Sequence, residues 1–216
     1  MNLPLENKVA IVTGAGGESG SAIAQALAKA GARVVVNDIN PDRAERTAGA
    51  ILEKGHDALA IMADISNRFQ CVNLIESTRE QWGRIDILVN NAAVRPVAPI
   101  LKMDEWAWQR CLDVNLKGAF FMSQLVGRVM ADENQEWGGV IVNIGPQYGD
   151  DDLATGLAAY AASKAGLEAF TRQCSREYAL QGIQVHFVQI GAMRENQSEG
   201  ELDLAQTVIR LCCHED

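Results

Sequence analysis

The chain has 216 residues, 48% of them hydrophobic, with 28 acidic against 19 basic side chains and a formal net charge of -9. That apolar content suits one compact domain spanning 1–216, while the negative charge, without a Lys/Arg-rich run, argues against nucleic-acid or anionic-membrane partners, which need clustered positive charge. No apolar run approaches membrane-spanning length and no basic-then-apolar leader opens the chain, so it reads as cytoplasmic; Cys71, Cys111, Cys174, Cys212 and Cys213, an odd number without paired spacing, read as reduced thiols, and no metal is assigned.

Apolar β-branched runs alternate with helical periodicity along most of the chain. Residues 8–13 predict the first strand, and 22–28 fall in the helix after it. Further strands are expected over 32–37, 58–63, 85–90, 139–144 and 183–189, with helices over 41–54, 67–82, 104–131, 157–181 and 202–212. Strands apolar on both faces need crossover helices on both sides. The pattern therefore predicts an α/β fold with a doubly wound, Rossmann-like parallel sheet in three layers.

The first strand runs into Thr13-Gly14-Ala15-Gly16-Gly17-Glu18-Ser19-Gly20. A glycine-rich turn before a helix lets main-chain amides and the helix N-terminus approach a pyrophosphate, which makes Gly14, Gly17 and Gly20 candidate cofactor residues. Asp38, at the end of the second strand, can accept hydrogen bonds from an adenosine ribose and repels a 2′-phosphate, so the dinucleotide expected is NAD rather than NADP. Glu18 counts against binding: at about 4 Å from a pyrophosphate a carboxylate costs roughly 4 kcal/mol at an effective dielectric near 20. It can also fill the anion position itself, since a helix N-terminus favours negative charge.

Further along come Ala63-Asp64-Ile65, Asn90-Asn91-Ala92-Ala93, Asp113-Val114-Asn115-Leu116-Lys117-Gly118 and Tyr160-Ala161-Ala162-Ser163-Lys164. With the glycine turn, and in this order, they make residues 6 to 190 resemble the short-chain dehydrogenase/reductase family. The resemblance implies that Asp64 and Ile65 border an adenine and that Asn91 and Ala92 line the cofactor cleft. It implies too that Tyr160 exchanges a proton with a substrate hydroxyl or carbonyl, that Lys164 holds the nicotinamide ribose and lowers the tyrosine pKa, and that Asn115 supports a water relay. The chemistry agrees, because a phenol with a pKa near 10 needs a neighbouring cation to act as a base, and Lys164 stands one helical turn along.

Departures from the pattern are as informative. The family's serine donor after the fifth strand falls at Pro146 or Gln147, neither of which has a hydroxyl; the Gln147 amide and the Tyr148 hydroxyl are the candidate replacements. Losing one donor aimed at developing charge typically costs about 10²–10³ in rate. The family's Pro-Gly and nicotinamide-capping threonine are replaced by Gly191-Ala192-Met193-Arg194, the lid shrinks to Glu195–Glu201, and the sheet is expected to lack the family's last strand.

Three readings follow from these losses. The chain is a catalytically impaired subunit supporting an active NAD-dependent alcohol or hydroxyacyl-CoA dehydrogenase partner; or an active NAD-dependent secondary-alcohol dehydrogenase or ketone reductase without the serine; or an NAD-sensing or protein-binding module. The expected contact surface, with an active relative or a second copy, is the helix pair 104–131 and 157–181. Leu112, Leu116, Phe120, Leu125 and Val129 on the first, with Ala158, Ala162, Leu167, Phe170 and Cys174 on the second, exceed one apolar stripe. Trp106, Trp108 and Trp137 read as caps on the sheet, and Asp150-Asp151-Asp152 as a solvated loop.

Overall fold

A computed structural model describes residues 3–134, 136–146, 155–190 and 197–213, with the backbone alone at 190 and 197–203. Six parallel strands, β1 (Val9–Thr13), β2 (Arg33–Asp38), β3 (Ala58–Met62), β4 (Ile87–Asn90), β5 (Gly139–Pro146) and β6 (Ile183–Ile190), form one sheet in the order β3-β2-β1-β4-β5-β6. Strand alternation sorts the core into two halves. Ala10, Val12, Val34 and Val36 pack on one face against α1 (Glu18–Lys29), α2 (Pro41–Leu52) and α7 (Gln197–Cys212). Ile11 and Val35 point the other way, towards α3 (Arg68–Trp82), α5 (Ala119–Glu133) and α6 (Ala158–Tyr178). Each fully buried Val or Ile of β1 contributes about 1.5–3 kcal/mol, and the three layers predicted from the apolar strands are present.

Local chemistry sets the helix starts. The Asn40 side chain accepts the Arg43 N–H, with Pro41 at the first helical position of α2, and Asn67 accepts from Phe69 and Gln70 at the start of α3. Asp104 caps the eight-residue α4 (Glu105–Leu112) through the Ala107 N–H.

Several boundaries differ from expectation. The helix predicted over 104–131 is present as one continuous run from Glu105 to Glu133, widened between α4 and α5 where residues Asp113–Gly118 form a π-type turn. Asn115 is drawn towards Val94, and Gly118 is pressed so close to Ile65 that an added Cβ would sit 2.9 Å from its side chain. Three strands, β2, β5 and β6, run past their predicted ends, so that Asp38 and Pro146 both belong to the sheet. Residues 197–201, expected in a lid, form the first turns of α7. Gln147, Tyr148, Asp150–Asp152 and residues 191–196 lie outside the described residues. No helix among the described residues is long and apolar enough to cross a membrane.

The expected contact surface is partly the chain's own core. Leu167 and Cys174 are buried, and Leu125, Val129 and Phe170 pack against the cluster that holds Cys174. Phe120 remains over a third exposed, edge-on to Phe170 at 6.1 Å. Of the tryptophans, Trp106 is exposed, whereas Trp137 carries the Arg84 guanidinium 5.4 Å above its ring.

Candidate active site

β1 lies between β2 and β4, so the chain winds away from it in both directions, and a crevice opens at the strands' carboxyl ends. A cleft of about 380 Å³ occupies that place. Gly14 and Gly17 line it from β1, Asp38 from β2, Asp64 and Ile65 from β3, and Asn91 and Ala92 from β4. All seven were expected as cofactor residues, and the fold brings them together.

The floor is built of close approaches. Gly14 has φ +63, and a Cβ there would lie 2.7 Å from Ala92 Cα. A Cβ on Gly20 would lie 2.4 Å from Gly14 O and 2.6 Å from Asn91 Nδ2, so only glycine lets α1 start this close to the strand ends. The Asn91 amide donates to Thr13 O and Gly14 O, tying β4 to the turn. The cradle thus fits a pyrophosphate lying along main chain. Glu18 is exposed at the first position of α1 and does not line the cleft, so it neither fills the anion position nor faces it.

Asp38 is buried, its Oδ2 accepting the Gly16 N–H at 3.1 Å and its Oδ1 the Asn40 N–H at 2.9 Å. Two main-chain donors fix its direction and leave lone pairs for a ribose diol. Gly16 escaped the sequence reading. An added Cβ there would sit 2.8 Å from the Asp38 carboxylate and 2.5 Å from Arg43 Cβ, and the paired glycines 16 and 17 were the available signal. Arg43 and Arg110, also lining the cleft, were missed as well. Arg110 Nη1 lies 3.1 Å from Asp64 Oδ2 and 2.6 Å from Ser66 Oγ. The Asp64 carboxyl lies below its ordinary pKa, because hydrogen bonds from Ser66 and the Arg110 charge outweigh the burial that raises it. Asp64 therefore braces the cleft wall through its side chain.

Val94 connects this cleft to the second half of the site. Its N–H donates to Asn115 Oδ1 at 2.8 Å, and its carbonyl accepts from Asn115 Nδ2 at 2.9 Å. Asn115 Nδ2 also donates to Ser163 Oγ at 3.0 Å, and that hydroxyl donates to the Tyr160 carbonyl at 2.7 Å. Both amide hydrogens of Asn115 are used, so its side chain clamps Val94 to Ser163.

Tyr160 and Lys164 stand one turn apart on α6, but their electrostatics differ from expectation. Lys164 is 2% exposed and donates to Ile144 O at 2.7 Å, with Nζ 5.9 Å from the Tyr160 ring centre. Burial lowers its pKa to about 8, and the neighbouring Cys111 thiol opposes that. The Tyr160 phenol lies above its ordinary pKa because burial outweighs the Arg95 guanidinium, which pulls it down. Lowering of the tyrosine pKa by Lys164 is not what this arrangement shows. β5 ends in Pro146, two residues beyond the carbonyl that takes Lys164, and proline supplies neither hydroxyl nor N–H where a donor to the reacting oxygen was sought.

Residues 8–203 match the family described as short chain dehydrogenase. Galactitol 2-dehydrogenase of Agrobacterium fabrum is 38% identical over 189 residues, covering 88% of this chain and 72% of that protein. The (2S)-[(R)-hydroxy(phenyl)methyl]succinyl-CoA dehydrogenase subunit BbsD of Thauera aromatica is 34% identical over 187 residues, covering 87% of this chain and 73% of its own. Among solved structures, NAD+-bound xylitol dehydrogenase superposes with a TM-score of 0.81 at 31% identity over 87% of this chain and 71% of that one. A metagenomic short-chain oxidoreductase in complex with NADP gives 0.88 at 29% identity over 97% and 92%.

Proposed function

This chain belongs to the short-chain dehydrogenase family, and on that premise we propose that it is a catalytically impaired subunit supporting an active NAD-dependent alcohol or hydroxyacyl-CoA dehydrogenase partner in a hetero-oligomer. The observation that carries the reading is the end of β5. Pro146, one of the two positions at which the donor is expected, supplies none, and among the described residues the Tyr160 phenol makes no hydrogen bond. With burial also holding that phenol protonated, a proton-accepting step at Tyr160 is disfavoured twice.

The cofactor side is better preserved. Gly14, Gly17 and Gly20 would take the pyrophosphate, Asp38 the adenosine ribose, Ile65 and Ala92 the adenine and cleft walls, and Lys164 the second ribose. The Asp38 carboxylate favours NAD over NADP, since a 2′-phosphate would meet a buried negative charge. When bound, the nicotinamide serves as hydride acceptor or donor. A relative that is itself a named subunit of a (2S)-[(R)-hydroxy(phenyl)methyl]succinyl-CoA dehydrogenase supports the partner chemistry. Phe120 and the exposed side of α6 offer the contact surface.

The test is NADH fluorescence titration of the chain alone and of the complex it copurifies in, with Tyr160→Phe introduced into both. A complex whose dehydrogenase activity survives Tyr160→Phe fits the proposal, whereas loss of activity makes this the catalytic chain. Light scattering that shows only a lone monomer also counts against it. The second reading, an active secondary-alcohol dehydrogenase, draws on one observation: Tyr160, Lys164 and Asn115 are assembled, linked through Ser163. Turnover of cyclohexanol by the isolated chain would establish that alternative.

A further inference from the structure

The segment from Val94 to Ala98 is a strap fixed at both ends. Val94 is held by the Asn115 side chain, and the Ala98 N–H donates to Gly156 O at 3.0 Å, four residues before Tyr160. Gly156, at φ +94, lets the strap lie close, since an added Cβ would sit 3.3 Å from both the Ala98 backbone and Val97 Cγ1. Burial alternates along it: Ala93, Arg95 and Val97 are exposed while Val94, Pro96 and Ala98 are half-buried. Arg95 and Val97 therefore share an outward face beside the N-terminus of α6.

Arg95 makes no hydrogen bond or ion pair among the described residues, whereas Arg84 and Arg110 are both paired with aspartates. A fixed backbone presenting one unpaired guanidinium and an apolar side chain, next to the phenol of the site, is an anchoring arrangement. We infer that Arg95 is the anion anchor of a substrate subsite beside Tyr160, and that this subsite takes a carboxylate with an apolar body. The planar guanidinium fork matches a carboxylate through two parallel N–H···O bonds, and Val97, 66% exposed, supplies apolar contact two residues along. The influence of Arg95 on the Tyr160 phenol agrees with this placement. The inference rests on Tyr160 marking the substrate end of the cleft, and it holds for an impaired subunit as for an active enzyme.

Calorimetric titration of the full chain with cyclohexanecarboxylate and, in parallel, cyclohexanecarboxamide tests it. The acid is expected to bind about tenfold tighter or better, and Arg95→Gln to abolish that preference. Arg176→Gln, an equal charge change on the exposed side of α6, should keep it. Equal affinity for acid and amide, no binding of either, or a preference that survives Arg95→Gln overturns the anchor. NADH titration of the same samples separates the failures. A chain that binds NADH without preferring the acid sinks the anchor alone, while one that binds neither sinks the assignment of the cofactor cleft with it.

Discussion

Replacing Lys164 with methionine sets the electrostatics of the site against the stability of the core around it. The ammonium is 2% exposed, and its hydrogen bond is to the Ile144 carbonyl. Burial takes its pKa from 10.5 to about 8, and at about 1.36 kcal/mol per pKa unit that difference corresponds to roughly 3 kcal/mol of lost stability while the lysine is charged in both states. The folded chain holds this proton more weakly than the unfolded chain does. Between about pH 8 and 10.5 the unfolded state is therefore the more protonated, and this group's contribution to stability rises with pH; below pH 8 the whole deficit is present. Allowing about 1 kcal/mol for the lost hydrogen bond, Lys164→Met should be more stable than the parent by about 2 kcal/mol at pH 7. At pH 9.5 the advantage should shrink to under about 1 kcal/mol. Urea unfolding followed by tryptophan fluorescence at the two pH values measures this. The buried thiols of Cys71 and Cys174, each pushed up to about 11, and of Cys212, pushed up to about 12, titrate in both proteins and cancel in the difference. A variant less stable at pH 7, or an advantage that does not change with pH, refutes the reasoning.

Three further outcomes are expected. Gly20→Ala forces a methyl to 2.4 Å from Gly14 O, so NADH affinity should fall about tenfold or more by fluorescence titration and stability by about 1–3 kcal/mol; unchanged affinity would mean that the glycine turn is not the pyrophosphate cradle. Asp38→Asn keeps the shape but removes the charge, and should shift the ratio of NADPH to NADH affinity upward by about tenfold or more, read by competition titration. Asp86 is buried, with Oδ2 accepting the Val9 N–H at 2.9 Å and Arg84 Nε at 2.8 Å. Asp86→Ala strands both donors and should cost about 2–4 kcal/mol in urea unfolding, and a cost below about 0.5 kcal/mol would show that water replaces the carboxylate.

The fold was largely written in short-range pattern. Continuous apolar runs such as Val34–Val36 have one stable use, a strand covered on both faces, and the residues that must lack a Cβ, Gly14 and Gly20, announce themselves by spacing. The π-type widening at Asp113–Gly118 within the helix over 104–131 was not legible, because the contacts found there, Asn115 with Val94 and Gly118 with Ile65, join residues distant in sequence. Leu167 and Cys174 misled for a related reason: an apolar stripe does not say whether its own sheet or another chain will cover it.

Sequence alone determined the parallel sheet, the location of the cleft at the ends of β1 and β2, and the absence of a hydroxyl at Pro146, because each follows from residue type at a fixed place in the chain. Only the tertiary structure decided how Tyr160 and Lys164 are charged, which donors direct Asp38, that Glu18 stands clear of the cleft, and that Arg95 shares the strap beside Tyr160. Protonation and direction depend on desolvation and on partners distant in sequence, such as the Ile144 carbonyl 20 residues from Lys164, and neither exists until the chain has folded.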